Sequence, residues 1–152
     1  EFRRVLFRST GDRTFDFNYD ALQTGRRTVS NMNADGVLQD RSAKLFRGTI
    51  DFQKGAAGSK GDEKEDVLLL GEDVVNRTIP LILCAEEDVE GNHGASIGQL
   101  DEDILFYMNS RGLSRAEAEL LITRSKLEAL CAKANDPGLT DRVHRYLEEN
   151  AQ

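Results

Sequence analysis

Ile79-Pro80-Leu81-Ile82-Leu83 is a short continuous apolar segment, and Val67-Leu68-Leu69-Leu70 is a second one close before it. Residues of the types Gly, Asn, Asp and Ser separate such runs, a pattern that is typical of β-strands. Continuous apolar runs indicate strands that are buried on both faces or stacked in a solenoid. Periodicity alone leaves a β-solenoid and a β-sandwich open.

Strand-like patterns extend upstream of these two segments. Residues 14–19 alternate strictly between apolar and polar side chains, and residues 45–52 alternate in part. Asp35-Gly36 predicts a turn, and residues 54–62 predict a small, polar, flexible loop. No clear helical period occurs before Leu100, so the sequence predicts a β-rich region over residues 10–100.

The pattern becomes helical towards the C-terminus. Acidic residues 101–103 and the pair Arg111-Gly112 predict a helix near 102–111, because negative charge favours a helix start and glycine favours its end. Ser114-Arg115-Ala116-Glu117 has the form of a capping box and predicts the start of a second helix. Asp136-Pro137 predicts a third, short helix. Residues 101–152 are therefore expected to form an α-helical segment.

Composition limits the possible functions. The chain has 152 residues, enough for one domain or for part of a larger one, and 39% of them are hydrophobic and 31% charged. No apolar stretch approaches the ~18 residues that suggest a membrane span. The net charge of −7 and a pI near 4.9 argue against broad nucleic-acid binding, which needs clustered Lys and Arg. We therefore expect neither a membrane nor a nucleic acid as partner.

The chain contains two cysteines, Cys84 and Cys131, which lie far apart and without CxxC spacing. Neither a disulfide framework nor a self-contained zinc site is supported. A reducing compartment fits this usage best, and we expect a cytoplasmic protein.

Residues 1–9 are basic but lack the apolar core and the cleavage site of a secretory signal. They resemble translated sequencing-adapter sequence. We therefore expect a non-native scar at 1–9 and a β core over 10–100 that is truncated at its N-terminal side.

His93 lies among three glycines in the segment 89–100. Glycine permits a sharp turn and a close approach of the backbone, so we predict a tight bend that leaves the imidazole accessible. A lone histidine between glycines is often only a turn or surface residue. From the residues alone, a ligand role and a structural role both stay open.

Several motifs, in the same order along the chain, carry a family resemblance. They are GTI (48–50), LLLG (68–71), PLILCAEEDV (80–89), NHGASIGQLDE (92–102), LFY (105–107) and SRG (110–112). Through these motifs, the chain from about Thr14 to Leu130 resembles the C-terminal core of the SufB/SufD family.

The resemblance implies a non-enzymatic scaffold subunit of the SUF system of iron-sulfur cluster assembly. Its implied fold is mainly β, a right-handed parallel β-helix followed by a C-terminal α-helical segment. In the family, the β-helices of SufB and SufD pair, and the C-terminal helices dock SufC, an ABC-type ATPase. The implied cluster is transient and shared with a SufB-type subunit or a second copy, and none is expected to bind tightly to the isolated chain.

The histidine of the family's His-Gly motif corresponds to His93, which the resemblance implies is a cluster ligand at the subunit interface. SufB-type chains have a functional cysteine and a glutamate where this chain has Lys64 and Gly94, so the chain is SufD-like. Gly91 stands where many relatives have a second cysteine. At least one further ligand must therefore come from a partner subunit or from Cys84.

Two other functions stay open. One is a purely structural β-solenoid interaction module, in which His93 only shapes a turn. The other, suggested by fold analogy and scattered carboxylates, is a carbohydrate-active β-helix protein.

Five side chains have structural interpretations. Cys84 in its apolar strand is expected to be a small buried hydrophobe, and so is Cys131 on its amphipathic helix. His144 is expected to be exposed to solvent. Phe106 and Tyr107 are expected to pack the first helix onto the last turn of the β-helix.

Overall fold

The computed structural model describes residues 2–132 and 136–149. Predictions for residue 1 and for the parts 133–135 and 150–152 of the helical segment lie outside the described residues. Seven strands precede three helices in this order: β1 (Phe2–Ser9), β2 (Thr14–Gln23), β3 (Val29–Gln39), β4 (Ala43–Phe52), β5 (Ser59–Leu70), β6 (Val75–Cys84), β7 (Val89–Gln99), α1 (Glu102–Ser110), α2 (Arg115–Cys131) and α3 (Pro137–Glu149).

The strands form two sheets, in the orders β1-β3-β5-β7 and β2-β4-β6. Successive strands alternate between the sheets, and β1 and β3, β2 and β4, β3 and β5, and β4 and β6 pair in parallel. The chain therefore coils through about three turns of a β-solenoid before it enters the helices. This confirms the expected parallel β-helix followed by an α-helical segment, and it excludes the sandwich alternative.

The core lies between the two sheets. In β4 every second side chain is buried, from Lys44 and Phe46 to Ile50 and Phe52, because successive side chains of a strand point to opposite faces. Parallel pairing in register stacks the inward positions of one turn onto those of the next. Alternate residues of each strand therefore point into the interior. Most outward positions reach solvent, but Val37 in β3 and Leu70 in β5 are buried.

The apolar runs are not buried on both faces. In β6 the outward side chains of Ile79, Leu81 and Leu83 are 54%, 46% and 43% exposed. Of the two interpretations of continuous apolar runs, stacking in a solenoid is therefore the correct one.

Asp35-Gly36 lies inside β3, so the predicted turn is wrong. A Cβ atom on Gly36 would lie 2.6 Å from Cδ2 of Phe7 in the neighbouring β1. The Cβ would also lie 2.5 Å from the backbone oxygen of Phe7, so glycine is needed there for the close approach of Phe7 rather than for a turn. Strand β1 occupies most of the segment 1–9, and its Phe7 and Ser9 are buried. The non-native origin of this segment stays a prediction.

The three predicted helices are confirmed. Asp101 caps α1 by accepting from the backbone N–H of Asp103, and Ser114 forms with Glu117 the capping box that starts α2. α1 buries Leu105, whereas Phe106 and Tyr107 are 75% and 58% exposed. The expectation that these two aromatic side chains are packing residues is therefore wrong. Neighbours in a helix point about 100° apart, so burial of Leu105 turns them away from its face.

Two compact units divide between Gly98 and Gln99. Within the two described ranges, no helix is both long and apolar enough to cross a membrane.

Candidate functional site

His93 lies in the middle of strand β7, so the predicted tight bend is wrong. The neighbouring Gly91, Gly94 and Gly98 are absent from the glycines with positive φ, and the backbone there is extended. Prediction failed here because glycine permits a bend without requiring one. The imidazole is accessible as expected, since 27% of the side chain is exposed.

β7 is one of the two edge strands of its sheet in the described chain, and it lies next to β5. Three side-chain contacts between these strands join residues thirty positions apart. They are Lys60 Nζ–Glu90 Oε2 (2.5 Å), Asn92 Nδ2–Asp62 Oδ1 (3.3 Å) and His93 Nδ1–Glu63 Oε1 (3.5 Å). This common offset places His93 beside Glu63, on the edge strand and on the inward-facing parity.

Glu63 is a buried carboxylate whose side chain is 0% exposed. Neither of its oxygens accepts a hydrogen bond from any residue in the described ranges. Burial raises the pKa of Glu63, while the positive fields of His93 and Lys44 oppose that shift. Gly48 on the opposite sheet gives the carboxylate its space, because a Cβ there would overlap both oxygens.

A second buried polar group lies in the same interior. Lys44 Nζ donates to Glu65 Oε1 and to Thr78 Oγ1, the latter at 3.4 Å, and the Thr78 hydroxyl donates to Glu65 Oε2. Neither charged side chain is exposed. Burial lowers the pKa of Lys44 to about 8, against the smaller opposing effect of Glu63.

Sequence reasoning missed Glu63, Lys44 and Glu65. A signal exists, because all three occupy the inward parity of strands whose other inward residues include Phe46 and Val67. To tell inward from outward positions, the start and end of each strand must be known. The many charged residues in the segment 60–66 hide the start of β5 in the sequence.

Cys84, the candidate second ligand, ends β6 in register with Phe52. It is exposed, so the expected burial is wrong, and its thiol is accessible. Cys131 is buried as predicted, and burial raises the pKa of its thiol. The described residues contain no group of three or more His, Cys, Asp or Glu side chains arranged to hold a metal ion. His93 therefore has no ready-made ligand set around it in that part of the chain.

The three positions that the resemblance singled out as departures, Gly91, Gly94 and Lys64, differ in their surroundings. Gly91 faces the interior, where an added Cβ would lie 2.8 Å from Cγ2 of Ile82, so a cysteine does not fit without movement of Ile82. Gly94 has open space at its Cβ position, and Lys64 is exposed.

His144, the other histidine, belongs to the helical region. Its Nε2 contacts Glu128 Oε1, and its Nδ1 lies 3.4 Å from Arg124 Nη2. Its side chain is 26% exposed, so the ring is half-buried rather than exposed to solvent as expected. The neighbouring α2 helix covers part of the ring, and these contacts give His144 a structural role.

Comparison with known proteins identifies the family. A family model described as "SUF system FeS cluster assembly, SufBD core domain" matches residues 3–126. The chain is 30% identical over 112 residues to the iron-sulfur cluster assembly protein SufD of Bacillus subtilis, a match that covers 74% of this chain and 26% of the relative. It is 28% identical over 107 residues to SufD of Escherichia coli, covering 70% of this chain and 25% of the relative.

An iron-sulfur cluster assembly SufBD family protein of Mycobacterium tuberculosis is 33% identical over 121 residues, which cover 78% of this chain and 14% of the relative. The chain thus spans about a quarter or less of the length of these relatives. The family match covers most of the described β-helix and the first part of α2. The chain belongs to the SufB/SufD family of the SUF system of iron-sulfur cluster assembly.

Proposed function

We propose that this chain is part of a non-catalytic scaffold subunit, and that His93 donates one ligand to a nascent iron-sulfur cluster shared with a partner. The observation that carries the proposal is the position of His93. Its partly exposed imidazole lies on the edge strand of the β-helix, where a second subunit can approach it. Neutral imidazole is a good iron ligand and can replace thiolate in iron-sulfur sites.

A SufB-type subunit is the proposed partner at this edge, with a second copy of the chain as the alternative. Supporting features are the outward apolar side chains of Ile79, Leu81 and Leu83 on β6, the edge strand of the other sheet. A thiolate ligand must also come either from the partner or from Cys84, which is the exposed cysteine of this chain. The two free cysteines of this chain support the reducing cytoplasm as its place of action.

The helices are the proposed docking region for a SufC-type ATPase. Support comes from α1, which exposes three apolar side chains: Ile104 (50%), Phe106 (75%) and Tyr107 (58%). Large exposed apolar side chains close together are typical of interaction sites. Phe106→Asp should therefore abolish co-purification of the ATPase, whereas Glu148→Ala, an exposed change in α3, should leave it intact.

Iron and acid-labile sulfide in the purified complex test the ligand role. The complete protein is coexpressed with a SufB-type subunit and a SufC-type ATPase, as wild type, His93→Ala or Asn92→Ala. Asn92 is the matched control because it precedes His93 on the same strand and its side chain makes surface hydrogen bonds, to Asp62 and to Glu90. We expect His93→Ala to lower iron and sulfide content while the subunits still co-purify. Unchanged content with unchanged activity in cells would reject the ligand role and leave a structural module.

A further inference from the structure

We propose that Glu63 is a positioning residue for His93, which holds the imidazole as its Nδ1–H tautomer and so presents Nε2 as the ligand atom. The assignment of Nε2 to a cluster rests on the proposed function, whereas the tautomer itself does not. Nothing in the family resemblance assigns a role to Glu63.

The geometry selects one ring nitrogen. Glu63 Oε1 lies 3.5 Å from His93 Nδ1, slightly longer than a hydrogen bond, and Nε2 lies on the far side of the ring from that contact. A small rotation of the imidazole brings Nδ1–H into hydrogen-bond range. Since a neutral imidazole carries one N–H, a proton on Nδ1 leaves the lone pair on Nε2 free for iron.

Both oxygens of Glu63 lack a donor within the described part of the chain. A buried carboxylate without hydrogen bonds is unfavourable, and a proton on His93 Nδ1, which lies 3.5 Å from Glu63 Oε1, is placed to become its donor. The Lys44 ammonium is already engaged with Glu65 and Thr78 and acts on Glu63 only through its field. In the Nε2–H tautomer, the lone pair of Nδ1 would face the carboxylate of Glu63 and repel it. The buried carboxylate therefore favours the Nδ1–H tautomer of His93.

The surroundings are adapted to this carboxylate. One turn earlier, the equivalent inward position in β3 is the buried, apolar Met32, which pairs in register with Glu63. An apolar side chain can therefore occupy this inward position, whereas glutamate occupies it in the turn beside His93. Gly48 on the opposite sheet provides the space. An unpaired buried charge lowers stability, so its location beside the candidate ligand indicates a functional role.

Carboxylates that bind the second nitrogen of a metal-ligating histidine fix its tautomer and orientation and raise its basicity. Loss of such a partner typically lowers metal affinity or activity by about 10- to 100-fold. We therefore expect Glu63→Met to weaken iron retention by roughly 10-fold or more while His93 itself is still present.

The tautomer is measured by long-range proton–nitrogen NMR correlation on the complete protein without cluster, labelled at histidine nitrogen. At about pH 8.5, where ordinary imidazoles are neutral, the two tautomers give distinct patterns. We expect His93 to be Nδ1–H in the wild type and largely Nε2–H in Glu63→Met. Methionine matches Met32 in size and polarity, so this variant should fold.

Lys64→Met is the matched control, because Lys64 is the next residue of β5 and is exposed. It should leave the His93 pattern unchanged, and His144 should keep its pattern in every variant. A wild-type His93 protonated at Nε2, in neutral or charged form, would overturn the proposal. So would the same tautomer in wild type and Glu63→Met.

Failure of the proposed function is separately visible. If His93→Ala retains iron while the tautomer still depends on Glu63, the ligand role fails and the positioning of the imidazole stands. If His93→Ala loses iron but Glu63→Met leaves the tautomer and iron retention unchanged, the positioning role fails and the ligand role stands.

Discussion

Gly48 in β4 and Glu63 in β5 fit together across the interior of the β-helix, since the glycine leaves the space that the buried carboxylate occupies. A Cβ atom on Gly48 would overlap both carboxylate oxygens. Gly48→Ala should therefore displace Glu63 and lower the free energy of unfolding by about 1–3 kcal/mol, as overpacking does in other cores. Urea unfolding of the variant and the wild type measures this difference.

Gly94→Ala is the control for that substitution. Gly94 also lies in a strand, but nothing lies within 4 Å of the position that its Cβ would take. The free energy of unfolding should change by no more than about 0.5 kcal/mol, as for ordinary surface substitutions. Equal effects of the two alanines would show that loss of glycine, rather than contact with Glu63, is responsible.

Lys44 and Glu65 form a fully buried ion pair, which Thr78 joins by hydrogen bonds. Lys44→Met leaves the carboxylate buried without its cation and should lower the free energy of unfolding by about 3–5 kcal/mol. The double variant Lys44→Met/Glu65→Leu removes both charges and should recover most of this loss, because apolar residues often replace a buried pair without penalty. Additive effects of the single substitutions in urea unfolding would contradict the pairing.

The same lysine predicts a pH dependence. Burial lowers the pKa of Lys44 from 10.5 to about 8, so the folded protein releases this proton before the unfolded chain does. Between these two values the unfolded state binds more protons, and the free energy of unfolding should rise with pH through this group. Relative to the double variant, the wild type should therefore gain stability from about pH 7.5 to about pH 10. A relative loss over that range would contradict the lowered pKa.

Elements with strong local signals could be predicted from the sequence. The helix starts at Asp101 and Ser114 depend on side chains that bond to backbone groups within three residues, so their pattern is visible locally. Apolar runs likewise located β5 and β6. His93 was found because one histidine among glycines in a family motif is a distinctive pattern.

The interior of the site could not be predicted in the same way. Glu63 meets His93 thirty positions later and meets Gly48 on the opposite sheet, so both contacts depend on how the turns of the solenoid stack. The turn predicted at Asp35-Gly36 was wrong for a related reason, because Gly36 makes room for Phe7 of another strand and does not form a local turn. Cys84 was expected to be buried from its apolar neighbours, but it ends the outermost strand of its sheet and is exposed.

Gly91 faces the interior of the β-helix, and the structure predicts the effect of a cysteine at this position. Gly91→Cys places a side chain 2.8 Å from Cγ2 of Ile82 and should lower the free energy of unfolding by about 1–3 kcal/mol. Ile82→Ala removes the clashing methyl group, so the double variant should be more stable than the sum of the two single effects predicts. Thermal unfolding of all four proteins tests this coupling. Strict additivity would show that Ile82 is not what excludes the cysteine.

The capping box at the start of α2 predicts a local effect on helix stability. The Ser114 hydroxyl accepts from the backbone N–H of Glu117 at 3.3 Å, and Glu117 Oε2 accepts from the backbone N–H of Ser114 at 2.7 Å. Ser114→Ala removes one of these bonds and should destabilise the helix by about 1 kcal/mol. The loss should appear in far-ultraviolet circular dichroism on heating, whereas Ser125→Ala in the middle of α2 should cause little loss.

Hydrogen bonds from Ser114 hold the pKa of Glu117 below its usual value of 4.5. The unfolded chain therefore takes up this proton first as pH falls, and the contribution of Glu117 to stability is present above about pH 4.5 and lost below it. Glu117→Gln keeps the shape of the side chain without its charge. The advantage of the wild type over this variant should be full at about pH 7 and should shrink as pH falls below about 4.5. A constant advantage over that range would mean that the charge of Glu117 does not contribute to the cap.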